Sequence, residues 1–143
     1  MSTVLICRDA LEDSVLGNLA LARTLARRGG SVAVVFAGEA LRALVDGTFR
    51  WSPNFKTREA QAEMIAAAEN AGLPMAHRDL DPRWSDVRGL VRSLAAEPEL
   101  RMLACPLWSR LLGLEGDPDY LEKIDEEDLA GLLHKADTVI GGY

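Results

Sequence analysis

The sequence predicts an α/β fold: a three-layer α/β/α arrangement around a five-stranded parallel sheet. Three observations predict it. Short apolar runs, several of them β-branched, recur at residues 3–7, 31–36, 74–77, 100–104 and 137–140. Helical segments lie between consecutive runs, and alternation of this kind belongs to parallel sheets covered by helices on both sides. The run from Ser31 to Phe36 is almost continuously apolar, as in a strand buried on both faces.

The first strand runs from Thr3 to Cys7 and leads through a short polar stretch into a helix. That helix carries Val15, Leu19, Ala22 and Ala26 on one stripe and stops at Gly29-Gly30. After the second strand, Ala37-Gly38-Glu39 turns the chain into a short helix ending near Asp46-Gly47. Residues 48–56 have no clear period. Phe49, Trp51 and Phe55 lie there around Pro53, and either an oligomer contact or local tucking is expected, over a lid on a pocket.

Thr57 is placed to cap a long helix with Ala60, Met64, Ala67 and Ala71 on one face, ended by Gly72. A weak strand is expected over 74–77, followed by a loop. Ser85 is placed to cap a helix that turns Val87, Leu90, Val91 and Leu94 inward, with Pro98 beyond its end. Leu100 to Ala104 is the next strand. Cys105 follows it, and Pro106 suits the first position of a helix bearing Leu107, Trp108, Leu111 and Leu112, ended by Gly113. Gly116-Asp117-Pro118-Asp119 is a turn. Asp125 caps the last helix, with Leu129, Leu132 and Leu133, and the final strand spans 137–140.

The totals bound the functional classes. A chain of 143 residues is expected to form one domain, spanning 1–143. A net charge of −6 argues against sequence-blind binding to nucleic acid or to an anionic membrane. No apolar run reaches the length of a membrane span. No basic leader precedes the first strand, so no signal peptide is expected. Two cysteines make no disulfide framework and fit a reducing cytoplasm.

In parallel sheets, ligands bind outside the carboxyl ends of the strands. Five short sequences fall there: Cys7-Arg8-Asp9, Ala37-Gly38-Glu39, His77-Arg78-Asp79, Cys105-Pro106 and Gly141-Gly142. Cys105 ends a strand and begins a helix, where free N–H groups and the helix dipole favour an anionic thiolate. An inert, buried strand-end cysteine is the competing reading. Arg110, one turn along, adds a positive charge to that helix. Cys7 is expected to be a strand-end apolar residue, although adjacent strands would bring the two thiols within reach of each other. His77 is a candidate base or cation, with a polar edge residue as the competing reading. His134 is explained as a favourable charge in the last turn of a helix.

Several motifs are absent. The acidic stretch from Asp117 fails as a calcium loop, because its sixth position is Glu122 and its twelfth is Asp128. No dinucleotide-binding or Walker glycine pattern, no Cys-x-x-Cys and no Gly-x-Ser-x-Gly elbow is present.

The opening Thr3-Val4-Leu5-Ile6, its polar loop and alanine- and leucine-rich helix, and then Gly30-Ser31-Val32-Ala33-Val34-Val35-Phe36 with Gly38, resemble the start of DsrE/DsrF-like proteins. Leu103-Ala104-Cys105 with its helix, Gly113-Leu114, the acidic stretch and the terminal Ala136-Asp137-Thr138-Val139-Ile140-Gly141-Gly142 are similar to their second half. The pattern departs from the family at Pro106-Leu107-Trp108, which is bulkier than the small residues expected there. The resemblance, which includes TusD-like members, implies a small cytoplasmic sulfur-relay protein that forms homo-oligomers. Cys105 matches the strand-end cysteine that carries sulfur as a persulfide. Sulfur donor and acceptor proteins are then the expected partners, and no metal or organic cofactor is needed. Cys105 is the expected catalytic residue. Cys7, Asp9, Gly38, Glu39, His77 and Trp108 are expected around the substrate, with Trp108 as a wall. Two alternatives stand beside this: a non-catalytic ligand-binding or assembly subunit, and a thiol oxidoreductase using Cys7 and Cys105.

Overall fold

The structure, a computed structural model, describes residues 1–74, 87–114 and 118–141. The described elements run β1 (Ser2–Cys7), α1 (Glu12–Arg27), β2 (Ser31–Phe36), α2 (Gly38–Asp46), a single 3-10 turn (Pro53–Phe55) and α3 (Arg58–Asn70). They continue with α4 (Val87–Ala95), β3 (Leu100–Ala104), α5 (Pro106–Leu111), β4 (Glu122–Lys123), α6 (Glu126–Lys135) and β5 (Thr138–Ile140). The five strands form one all-parallel sheet in the order β4-β3-β2-β1-β5. This is the expected three-layer α/β/α class.

The strand order explains the layers. From β1 to β4 the chain steps one way across the sheet, and from β4 to β5 it returns to the far edge. Right-handed crossovers therefore put the helix of the return step on the opposite face. Alternate residues of the strands divide accordingly. Leu5, Cys7, Val32, Val34, Phe36, Met102 and Ala104 pack against α1, α2, α3 and α4. Val4, Ala33, Val35, Leu103 and Cys105 form a second core under Leu129 of α6. Trp108 of α5 touches both cores, so α5 bridges the layers at the end of the sheet.

The strand that the sequence did not predict is β4, Glu122–Lys123, within the acidic stretch. Two charged residues at a sheet edge carry no apolar alternation, and such residues suit an edge because they discourage further pairing. Glu122 is held by an ion pair with Arg101 of β3. The expected strand over 74–77 and the Ser85 cap fall on or beside residues 75–86, outside the described residues. The α3 cap is as expected, with the Thr57 side chain accepting from the Ala60 N–H at 3.1 Å. Its buried face is not. Ile65 and Ala68 are buried, whereas Ala67 and Ala71 are exposed. Ile65 has far more apolar area than any alanine, and it determines which stripe turns inward.

Residues 49–55 tuck locally. Arg50 pairs with the loop after β1, donating its N–H to Ala10 and accepting from Glu12. The Asp13 carboxylate accepts from the Ser52 N–H at 2.9 Å. Phe49 and Trp51 then lie against the larger core.

α6 starts at a reciprocal capping box. The Asp125 carboxylate accepts from the Asp128 N–H at 2.7 Å, and that of Asp128 accepts from the Asp125 N–H at 3.3 Å. Because α6 is the helix that closes the smaller core, Asp125→Ala should lower the unfolding free energy by about 1 kcal/mol. Denaturant titration checks this, with the midpoint falling and the slope unchanged.

Candidate functional site

The parallel register brings three strand ends level. Cys7 of β1 lies beside Phe36 of β2, and Phe36 lies beside Ala104 of β3. The connections that leave these strands are then tied together by backbone. The Ala37 N–H donates to the Cys7 carbonyl at 2.9 Å, and the Ala40 N–H to the Arg8 carbonyl at 3.0 Å. The Cys105 N–H donates to the Phe36 carbonyl at 3.0 Å. Gly38 has φ of +53°, and a Cβ there would stand 3.2 Å from the Arg8 carbonyl oxygen. A side chain would be both strained and crowded at this point, so α2 starts tight against the end of β1.

Beside these crossings lies a cavity of about 390 Å3. Arg8 and Asp9 line it from the end of β1, and Gly38, Glu39 and Arg42 from the first turns of α2. Trp108 and Leu112 close the α5 side. Four residues expected at the site, Asp9, Gly38, Glu39 and Trp108, therefore share one hollow. Arg8, Arg42 and Leu112 were not among the expected site residues. Arg8 lies in the strand-edge sequence Cys7-Arg8-Asp9; for the other two the signal lies in spacing, since Arg42 follows Glu39 by three helical positions and Leu112 follows Trp108 by four, so each shares a face with its partner. Two further hollows, of about 370 and 640 Å3, lie at the amino edge of the sheet and beside α6 and β4.

Cys105 is the residue immediately before α5, and Pro106 occupies the first helical position. Its carbonyl accepts from the Ser109 N–H at 2.9 Å. It is 6% exposed and packs in the smaller core with Leu103 and Leu129. It does not line the cavity itself, but caps the helix that supplies the cavity's apolar wall, three residues ahead of Trp108. Arg110 is engaged by an ion pair with Glu126 at the start of α6, which joins the two helices.

Cys7 is elsewhere. It is 1% exposed in the larger core, and Cys105 belongs to the smaller one, so the two thiols lie on opposite faces of the sheet. β2 runs between their strands. Two strand spacings are about 9.5 Å, beyond the roughly 7 Å that a disulfide permits. The adjacency that a paired-thiol oxidoreductase needs is absent, and Cys7 does not line the cavity. Burial pushes its thiol up from 9.0 to about 12, against a hydrogen bond to the Asn18 side chain and with a smaller upward push from Asp9. His77 lies outside the described residues. Among the described residues, no three His, Cys, Asp or Glu side chains group as a metal site, and no helix is long and apolar enough to cross a membrane.

No family model matches the chain, and no curated protein matches its sequence significantly. Among solved structures it is similar to the crystal structure of the ychN protein from E. coli. The superposition covers 99% of both chains with a TM-score of 0.53 at 15% identity. The likeness is one of fold.

The state of Cys7 has a consequence for stability. Above pH 9 the unfolded chain loses the Cys7 proton while the folded chain keeps it up to about 12. The unfolded state then binds fewer protons, so stability falls as pH rises through that window. Denaturant titrations at stepped pH should show this fall in the wild type and a shallower one in Cys7→Ala.

Proposed function

We propose that this protein is a sulfur carrier that holds sulfur as a persulfide on Cys105 and passes it between partners. The observation that carries the reading is the position of Cys105. It follows a central parallel strand and starts the helix whose Trp108 and Leu112 line a charged hollow at the carboxyl edge of the sheet. The likeness to DsrE/DsrF-like proteins supports it, since their cysteine occupies the same place in the pattern and their fold is of this class.

In the proposed step the Cys105 thiolate attacks the outer sulfur of a donor persulfide. The donor S–S bond breaks, the donor leaves as a thiolate, and a new S–S bond forms on Cys105. An acceptor thiolate then attacks the outer sulfur and releases Cys105. The two transfers exchange one S–S bond for another, so no external oxidant or reductant is consumed. Burial among Leu103, Leu129 and Trp108 shields the persulfide from stray thiols. Work in a reducing cytoplasm fits two free cysteines. Leu107 and Leu111, four apart on α5, are 42% and 71% exposed, which supports a contact between copies of the chain or with a sulfur partner.

A second reading is a ligand-binding subunit in which Cys105 is inert. The low exposure of Cys105, and a cavity lined by other residues, favour it.

Intact mass after incubation with a persulfide donor separates the two. The wild type should gain about 32 Da on Cys105, and a reductant should remove it. Cys105→Ser should gain nothing, and Cys7→Ser should match the wild type. A wild type that gains no mass leaves the ligand-binding reading.

A further inference from the structure

We propose that the hollow at the carboxyl edge binds a small zwitterion of the α-amino-acid type. Its walls are of two kinds. Arg8 and Asp9 stand side by side at the end of β1, and neither is in an ion pair among the described residues. Glu39 and Arg42 face the same space from α2. Glu39 keeps only a 4.0 Å approach to Arg50, and Arg42 binds Asp46 through Nε at 3.2 Å, which leaves its terminal nitrogens available. The opposite wall is the apolar pair Trp108 and Leu112.

Two guanidinium groups and two carboxylates sum to no net charge. A simple anion or a simple cation therefore meets as much repulsion as attraction. A ligand carrying both an ammonium and a carboxylate on one carbon meets opposite charges in both directions, and its charge-assisted hydrogen bonds are the strong ones. Its side chain then lies along the apolar wall, on the helix that Cys105 caps. A volume of about 390 Å3 is at the small end of ligand pockets and accommodates an amino acid. On the sulfur-carrier reading, such a ligand is the low-molecular-weight persulfide that brings sulfur to Cys105 and leaves as its thiolate, or the thiol that takes the sulfur away. The binding itself does not depend on that reading.

The test uses Cys105→Ser, so that no sulfur chemistry intervenes. It is titrated under reducing conditions with L-cysteine, with cysteamine, which lacks the carboxylate, and with 3-mercaptopropionate, which lacks the amine. The Trp108 indole and the Gly38 amide are followed by NMR. L-cysteine should shift both signals saturably at one site. The two truncated thiols should bind about tenfold more weakly or worse, the factor that a charge-assisted hydrogen bond contributes. Arg8→Gln and Asp9→Asn, in exposed or half-buried positions, should each cost L-cysteine a similar factor. Absence of a saturable shift overturns the proposal. So does equal or tighter binding of 3-mercaptopropionate, which marks an anion site, or of cysteamine, which marks a cation site. Binding in Cys105→Ser together with a wild type that gains no sulfur would sink the sulfur reading and leave this site standing. Sulfur loading without L-cysteine binding would do the reverse.

Discussion

The level pairing of β1, β2 and β3 is the constraint on which the rest depends. Once Cys7, Phe36 and Ala104 share a row, three connections leave the sheet at one height, and their backbone groups must find partners in one another. The same row determines which way each side chain faces. Cys7 is in the row and Cys105 is one residue past it, so alternation sends the two sulfurs to opposite faces. One thiol becomes a core residue of the larger layer. The other ends up at the start of a helix beside the hollow.

The site follows from this arrangement with little added. A glycine at position 38 lets α2 begin against the Arg8 carbonyl, and that draws Glu39 and Arg42 up to Arg8 and Asp9. α5 is tied between the layers by Trp108 and to α6 by the Arg110–Glu126 ion pair. An apolar pair from α5 and charged residues from the end of β1 and from α2 line the same hollow. The asymmetry of the two faces has the same origin as the strand order. Among the described residues, four helices cover one face, whereas α6, on the single return crossover, covers the other, and Cys105 lies under that thinner cover.

Much of this was legible in the sequence, for physical reasons. Strands buried on both faces, such as Ser31–Phe36, leave long apolar runs, and helices packed by leucine and valine leave clear stripes. Caps at Thr57 and Asp125, and Pro106 after Cys105, are local chemistry and were readable as such. What failed was information held by other parts of the chain. β4 is two charged residues that pair only because β3 offers an edge. The buried face of α3 rests on one isoleucine among alanines. Strand adjacency, which separates Cys7 from Cys105, is a property of topology and has no signature at either cysteine. Asp9, Gly38, Glu39 and Trp108, with Arg8 beside Asp9, were identifiable because parallel sheets gather their strand ends, whereas Arg42 and Leu112 needed the helix faces to be known.

The central proposal is that the sheet separates its two buried thiols by role, with Cys105, at the strand edge under α6, carrying the sulfur chemistry and Cys7 held in the larger core. Alkylation of the folded protein with iodoacetamide, followed by peptide mapping, tests this most directly. The account predicts modification of Cys105 while Cys7 stays unmodified until the chain is unfolded. A folded protein in which Cys7 reacts first, or in which Cys105 stays unmodified up to alkaline pH, would contradict it.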